Sequence, residues 1–199
     1  MSHFETYTPI QHAVNIIVVT VFFCASFAFV AWFSQQVETY FNVNALYASL
    51  LFLPHGVRVL AAVIFRPSLA FTYLFIAAVA ASVTVWPNSL DAPYIRFLQF
   101  IVGAACAPLA LMIISSAIGQ EKAYIRIVDR RSWRVLGLAI LLSAFLNSLG
   151  QSIVVAVSGQ ALADVGLILT FIGGDILGAT VLIGLVYIVV KRFDNSSSL

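Results

Sequence analysis

Charge is scarce in this sequence: ten basic and eight acidic residues among 199 amount to 9%. Soluble domains carry about 25% charged residues, so a water-exposed surface cannot be built from this chain. No basic stretch is extensive enough to follow a phosphate backbone, and no nucleic-acid partner is expected. Cysteine is equally sparse. Cys24 and Cys106 each lie inside an apolar run, which excludes a disulfide framework and offers no metal-ligand spacing, so neither a metal nor a cofactor is expected. Catalytic signatures are missing too: there is no HExxH, no P-loop, and no GxSxG with a histidine and an acid downstream. The sequence is read as a non-enzyme. Short alternating segments of about ten residues, the mark of an outer-membrane barrel, are also lacking.

What the chain has is long apolar runs. Hydrophobic residues make up 62% and the mean hydropathy is +1.04, so the fold class expected is all-α, a polytopic membrane protein built as a six-transmembrane-helix bundle in a lipid bilayer. The spans are placed at about 12–33, 45–65, 67–86, 94–118, 134–157 and 165–190, forming one integral membrane domain across residues 1–199. The first run lacks a basic leader and a small-residue cleavage pattern, so it is read as a retained span. The polar stretch 34–44 closes it, Arg66-Pro67 is a tight turn, 87–93 is a loop, and Pro108 interrupts the ladder of the fourth span. The tail 193–199 reads as disordered.

Sorting the basic residues by loop gives an orientation. Arg66, Lys122, Arg126, Arg130, Arg131, Arg134, Lys191 and Arg192 fall on one side, Arg96 on the other, and Arg58 inside the membrane. That bias places both termini in the cytoplasm. Segment 119–134, GQEKAYIRIVDRRSWR, interleaves basic and apolar residues as an interfacial helix does. Lys122, Arg126, Arg130 and Arg131 are candidates for docking anionic lipid or a partner, and Trp133 for an interfacial anchor.

Two charges fall within spans. An arginine at the centre of a spanning helix costs about 2.5–3.5 kcal/mol on insertion scales and normally faces protein or water. Helix rise puts Arg58 about 20 Å down the second span and Asp175 about 15 Å down the sixth, close enough in depth to meet. His55 lies one turn before Arg58, with Pro54 and Gly56 inviting a local break. Asn147 and Gln151 share a face of the fifth span, where amides hydrogen-bond between helices. His55, Arg58, Asp175, Asn147 and Gln151 are therefore the candidate set, as a buried ion pair or as the lining of a ligand pocket. Gly174 and Gly178 form a small-residue face for close helix packing. His3 and His12 read as interfacial.

The segment LPHGVRVLAA, residues 53–62, resembles the proline–glycine motif of an early helix in the MASE1 family, and GDILG, residues 174–178, resembles that family's late glycine–aspartate–x–x–glycine segment. The resemblance implies a bacterial integral membrane sensory domain of the cytoplasmic (inner) membrane, passing its signal to a histidine kinase or cyclic-di-GMP enzyme. The chain departs from that pattern in having six spans rather than about eight, in ending after its last helix without an output domain, and in placing Arg58 where the family has an apolar residue. Signalling through a separate cytoplasmic or membrane partner is the consequence. The rival expectations are a substrate-binding subunit similar to the capture components of energy-coupling-factor transporters, and an accessory or assembly subunit of a larger membrane complex. An alanine-x-x-x-alanine docking face, expected of the former, is not present in the first span. Homo-oligomerisation is left open by the sequence.

Overall fold

The computed structural model describes residues 7–41, 51–85, 92–118, 130–158 and 165–196. Among these the only regular elements are six helices: α1 (Pro9–Phe41), α2 (Leu53–Ile64), α3 (Pro67–Thr84), α4 (Pro93–Ile118), α5 (Arg130–Val157) and α6 (Val165–Ser196). Five of them, all but α2, are long and apolar enough to cross a bilayer. The regular elements of the described residues are thus all helices, and five of these have the length and apolarity of a membrane-embedded protein.

The element that departs from expectation is α2. Its 12 residues rise about 18 Å, well short of the roughly 30 Å of a hydrocarbon core. The run 45–65 is apolar apart from Ser49, His55 and Arg58, but the described helix starts only at Leu53, with Pro54 in its first turn. Proline suits that position because its missing N–H has no helical partner there anyway. Residues 45–50 lie outside the described part. The helix ends at Ile64, and α3 begins at Pro67 after the expected tight turn.

Boundaries differ elsewhere for a common reason: hydropathy marks where lipid contact ends, whereas hydrogen bonding decides where a helix ends. Thus α1 continues through the polar residues from Ser34 to Phe41 instead of closing at 33. Likewise α5 starts at Arg130, inside the stretch assigned to the interface. Through Lys191-Arg192 and on to Ser196 α6 remains helical, and 197–199 of the tail lie outside the described residues. Of the interfacial segment, 119–129, with Lys122 and Arg126, lies outside the described residues, as do the side chains of Arg130 and Arg131.

The short helix occupies the middle. It packs against all five others, while α1, α3, α4, α5 and α6 form an arc of successive neighbours around it in which α1 and α6 do not touch among the described residues. Nine of the twelve α2 residues are buried. Around it the core is rich in alanine, including Ala70, Ala77, Ala104, Ala107 and Ala179, the composition that lets helices approach closely without a hydrophobic driving force between them. Large apolar side chains such as Phe22, Leu141, Phe145, Leu177 and Leu185 point outward, as lipid-facing residues do. Trp133 packs edge-on against Tyr187, over which Lys191 Nζ lies at 5.9 Å from the ring centroid.

Glycine decides the placement of α2 at two points. A Cβ on Gly178 would fall onto the carbonyl of Phe52 and within 2.7 Å of Leu53 N, and one on Gly56 within 2.8 Å of Leu182 Cβ. The backbone just before α2 therefore lies directly on α6. There Phe52 N–H donates to Gly174 O at 3.1 Å, so the small-residue face of Gly174 and Gly178 receives the start of α2. Gly174 stands about 14 Å along α6, which places non-helical backbone well inside the bundle. Such backbone is tolerated at membrane depth only where protein or a cavity surrounds it.

Candidate functional site

A polar stripe on α5 organises the interior. Ser143, Asn147 and Gln151 recur every four residues and so lie on one helical face. Each addresses a different neighbour. Ser143 Oγ is 2.9 Å from His55 Nε2 on α2, Asn147 Oδ1 accepts from Arg58 Nη1 at 3.3 Å, Asn147 Nδ2 donates to Asp175 Oδ2 on α6 at 2.8 Å, and Gln151 Nε2 donates to the backbone oxygen of Gln99 on α4 at 3.2 Å.

His55 is wholly buried, Asp175 is 3% exposed and Arg58 7%. His55 Nδ1 faces Asp175 Oδ2 at 3.5 Å without closing a hydrogen bond. Ser143 has one hydroxyl hydrogen and donates it to Ile140 O at 3.1 Å, so its oxygen accepts from a proton on His55 Nε2. No guanidinium nitrogen of Arg58 comes within the 4.0 Å of a salt bridge to Asp175. The two charges meet through the Asn147 amide, whose oxygen serves the cation and whose nitrogen serves the anion. The five residues singled out from sequence thus occupy one site: His55, Arg58, Asp175 and Asn147 form a connected cluster, and Gln151 stands one turn beyond.

The guanidinium is held on several sides. Its carbon lies 5.6 Å from the ring centroids of both Phe23 and Phe52, within cation–π range. On α4 the facing residue is Gly103, where a Cβ would come within 2.7 Å of Nη2. The missing side chain makes room for the charge. Among its donors, Nε is buried and has no hydrogen-bond partner.

Beside Arg58 opens a cavity of about 520 Å³, lined by Phe23 and Phe27 of α1, Phe52, Ala78, Ala81 and Ser82 of α3, Arg96, Gln99 and Phe100 of α4, and Gln151. That volume lies within the roughly 300–1,000 Å³ of small-molecule sites, and its largely apolar wall with a few polar groups has their usual composition. It occupies the half of the bundle where α1, α3 and α5 end and α2, α4 and α6 begin. Asp175 and His55 stand behind Arg58 and do not line it.

Sequence reasoning missed the walls. Arg96 entered only the charge tally, although Arg96, Gln99 and Gly103 recur at helical spacing and could have been read as one polar face of the fourth span. The phenylalanines carried no signal, being indistinguishable in sequence from the many that face lipid. His12, read as interfacial, lies within α1 and its ring nitrogen Nδ1 is hydrogen-bonded to the hydroxyl of buried Tyr73. No group of three or more metal-ligating side chains occurs among the described residues.

Comparison with protein-family models, with curated proteins and with solved structures gives no match for this chain.

Proposed function

We propose that the chain is a membrane-embedded sensory or ligand-binding module, of the kind the MASE1 resemblance implies, that takes a small molecule into the cavity beside Arg58 and acts through a separate partner. The observation that carries this reading is the cavity itself, bounded by a buried guanidinium whose supporting groups come from three other helices. A buried charge braced in this way is expensive to assemble for packing alone. By the distribution of basic residues the cavity faces the non-cytoplasmic half, so a signal would arrive from outside and be relayed to the cytoplasmic ends. α2 provides the route, because it carries Arg58 at the cavity and continues into the turn at Arg66 while touching every other helix.

One observation favours transport as a second reading. α2 begins deep beside Gly174 and Gly178, and discontinuous helices at membrane depth are the usual builders of transporter substrate sites. Purification in mild detergent followed by mass spectrometry of co-eluting molecules separates the two. The sensory reading expects a kinase or cyclase in the complex and no ligand flux when the chain is reconstituted alone in vesicles. Co-elution of an ATPase pair, or flux of a bound small molecule, replaces it with transport.

A further inference from the structure

We infer that the ligand of this cavity is a small organic anion whose charged end is taken by Arg58 and whose apolar body lies against Phe23, Phe27, Phe52 and Phe100. The inference rests on the binding-module reading above and specifies the chemical class that the site accepts.

Three observations point the same way. Arginine carries five N–H donors, yet among the described residues Arg58 makes a single hydrogen bond, the 3.3 Å contact to Asn147, and its Nε is buried and unpartnered. The rings of Phe23 and Phe52 attract the cation but supply none of the oxygen acceptors its N–H groups can use, and charged donors left unmet in a low-dielectric interior are costly. Secondly, among the described residues the cavity is lined by two arginines, Arg58 and Arg96, and by no acidic residue. The charge lining the cavity is of one sign, and its complement is an anion. Thirdly, the wall is phenylalanine and alanine apart from the two arginines, Ser82, Gln99 and Gln151. A strongly hydrated inorganic ion would lose its water there for little return, whereas an acid with an apolar body gains from both ends. A soluble aromatic acid and a membrane-derived fatty acid share this chemistry.

The test is titration of the purified full-length chain in mild detergent by calorimetry and thermal unfolding. The probes are 3-phenylpropionate and octanoate, each against its neutral amide. Both acids should raise the melting temperature and both amides should fail to do so; tighter binding of octanoate assigns the site to a membrane-derived acid and tighter binding of phenylpropionate to a soluble one. Arg58→Gln should weaken acid binding about tenfold to a hundredfold, the size of a lost hydrogen bond to a charged group. Because that variant removes a brace of the core, Ser82→Phe supplies an independent reading: it narrows the cavity from a partly exposed position away from the Asn147 bridge and should weaken both acids. Unchanged affinity in Ser82→Phe overturns the assignment to this cavity. Amides that bind as well as the acids overturn the anion inference while leaving the binding-module reading intact. Absence of any probe binding and of any co-purified small molecule overturns both.

Discussion

Asn147 is the residue on which the buried charges depend, and its replacement by leucine yields a sharp expectation. The 2.8 Å bond from Nδ2 to the Asp175 carboxylate is a hydrogen bond to a charged acceptor, worth about 1.5–3 kcal/mol. The 3.3 Å bond from Arg58 is long, and the bilayer average of about 0.6 kcal/mol is the appropriate scale for it. Asn147→Leu keeps the branched shape of the side chain and removes both, a loss of about 2–4 kcal/mol. For a chain of this size each kcal/mol moves the melting temperature by about 2–4 °C, so a fall of about 5–15 °C is expected by scanning fluorimetry in detergent. Thr180→Ala, which removes a hydroxyl bonded only to its own helix at Ile176 O, should leave it unchanged. In an Asp175→Asn background the same Asn147→Leu step should cost at least about 1 kcal/mol less, because the charge it served has gone. An Asn147→Leu protein melting within about 1 °C of the parent would show that the amide does not hold the two charges, and the account of the site would fail with it.

The parts of this site that could be read from sequence were those that violate a local expectation. Arg58, Asp175, Asn147 and Gln151 are polar residues in apolar runs, and a polar group at that depth needs a partner whatever the fold. Sequence gave no sign that Asn147 would stand between the charges, because helix rise fixes depth along each axis but leaves rotation about it free. The true start of α2 was encoded in Pro54, a residue suited to the first turn of a helix. It was masked because 45–65 stays hydrophobic on average in spite of His55 and Arg58, and that average passes over the very backbone change that proline marks. Phe23, Phe27, Phe52 and Phe100 could not be told from lipid-facing phenylalanines because in a bilayer both surroundings are apolar. Only the convergence of α1, α3 and α4 around the short α2 turns them into the wall of a cavity.

The orientation is testable with single cysteines: one at Ser89 should react with an impermeant reagent in intact cells, and one at Ser197 should be protected. Replacing Arg126, Arg130 and Arg131 with glutamine should loosen partner or lipid retention without unfolding the bundle, since each basic residue near an anionic surface contributes about 1 kcal/mol; unchanged co-purification across a salt series would remove that role. The glycines of α6 should divide by position. Alanine at Gly173 or Gly184 meets nothing within 4 Å, and since alanine is the better helix former by about 0.5–1 kcal/mol these changes should be neutral or slightly stabilising. Alanine at Gly178 has the same propensity gain, but its Cβ would coincide with the carbonyl of Phe52, and no side-chain rotation relieves a clash with backbone. The beginning of α2 must then move, at a cost of about 1–3 kcal/mol or more, taking Phe52 away from both the Arg58 guanidinium and the cavity. Gly178→Ala should therefore lower the melting temperature and weaken ligand binding together, although the residue touches no ligand. If Gly178→Ala behaved like Gly173→Ala in both measurements, the close seating of α2 on α6 would be refuted, and with it the placement of the cavity wall.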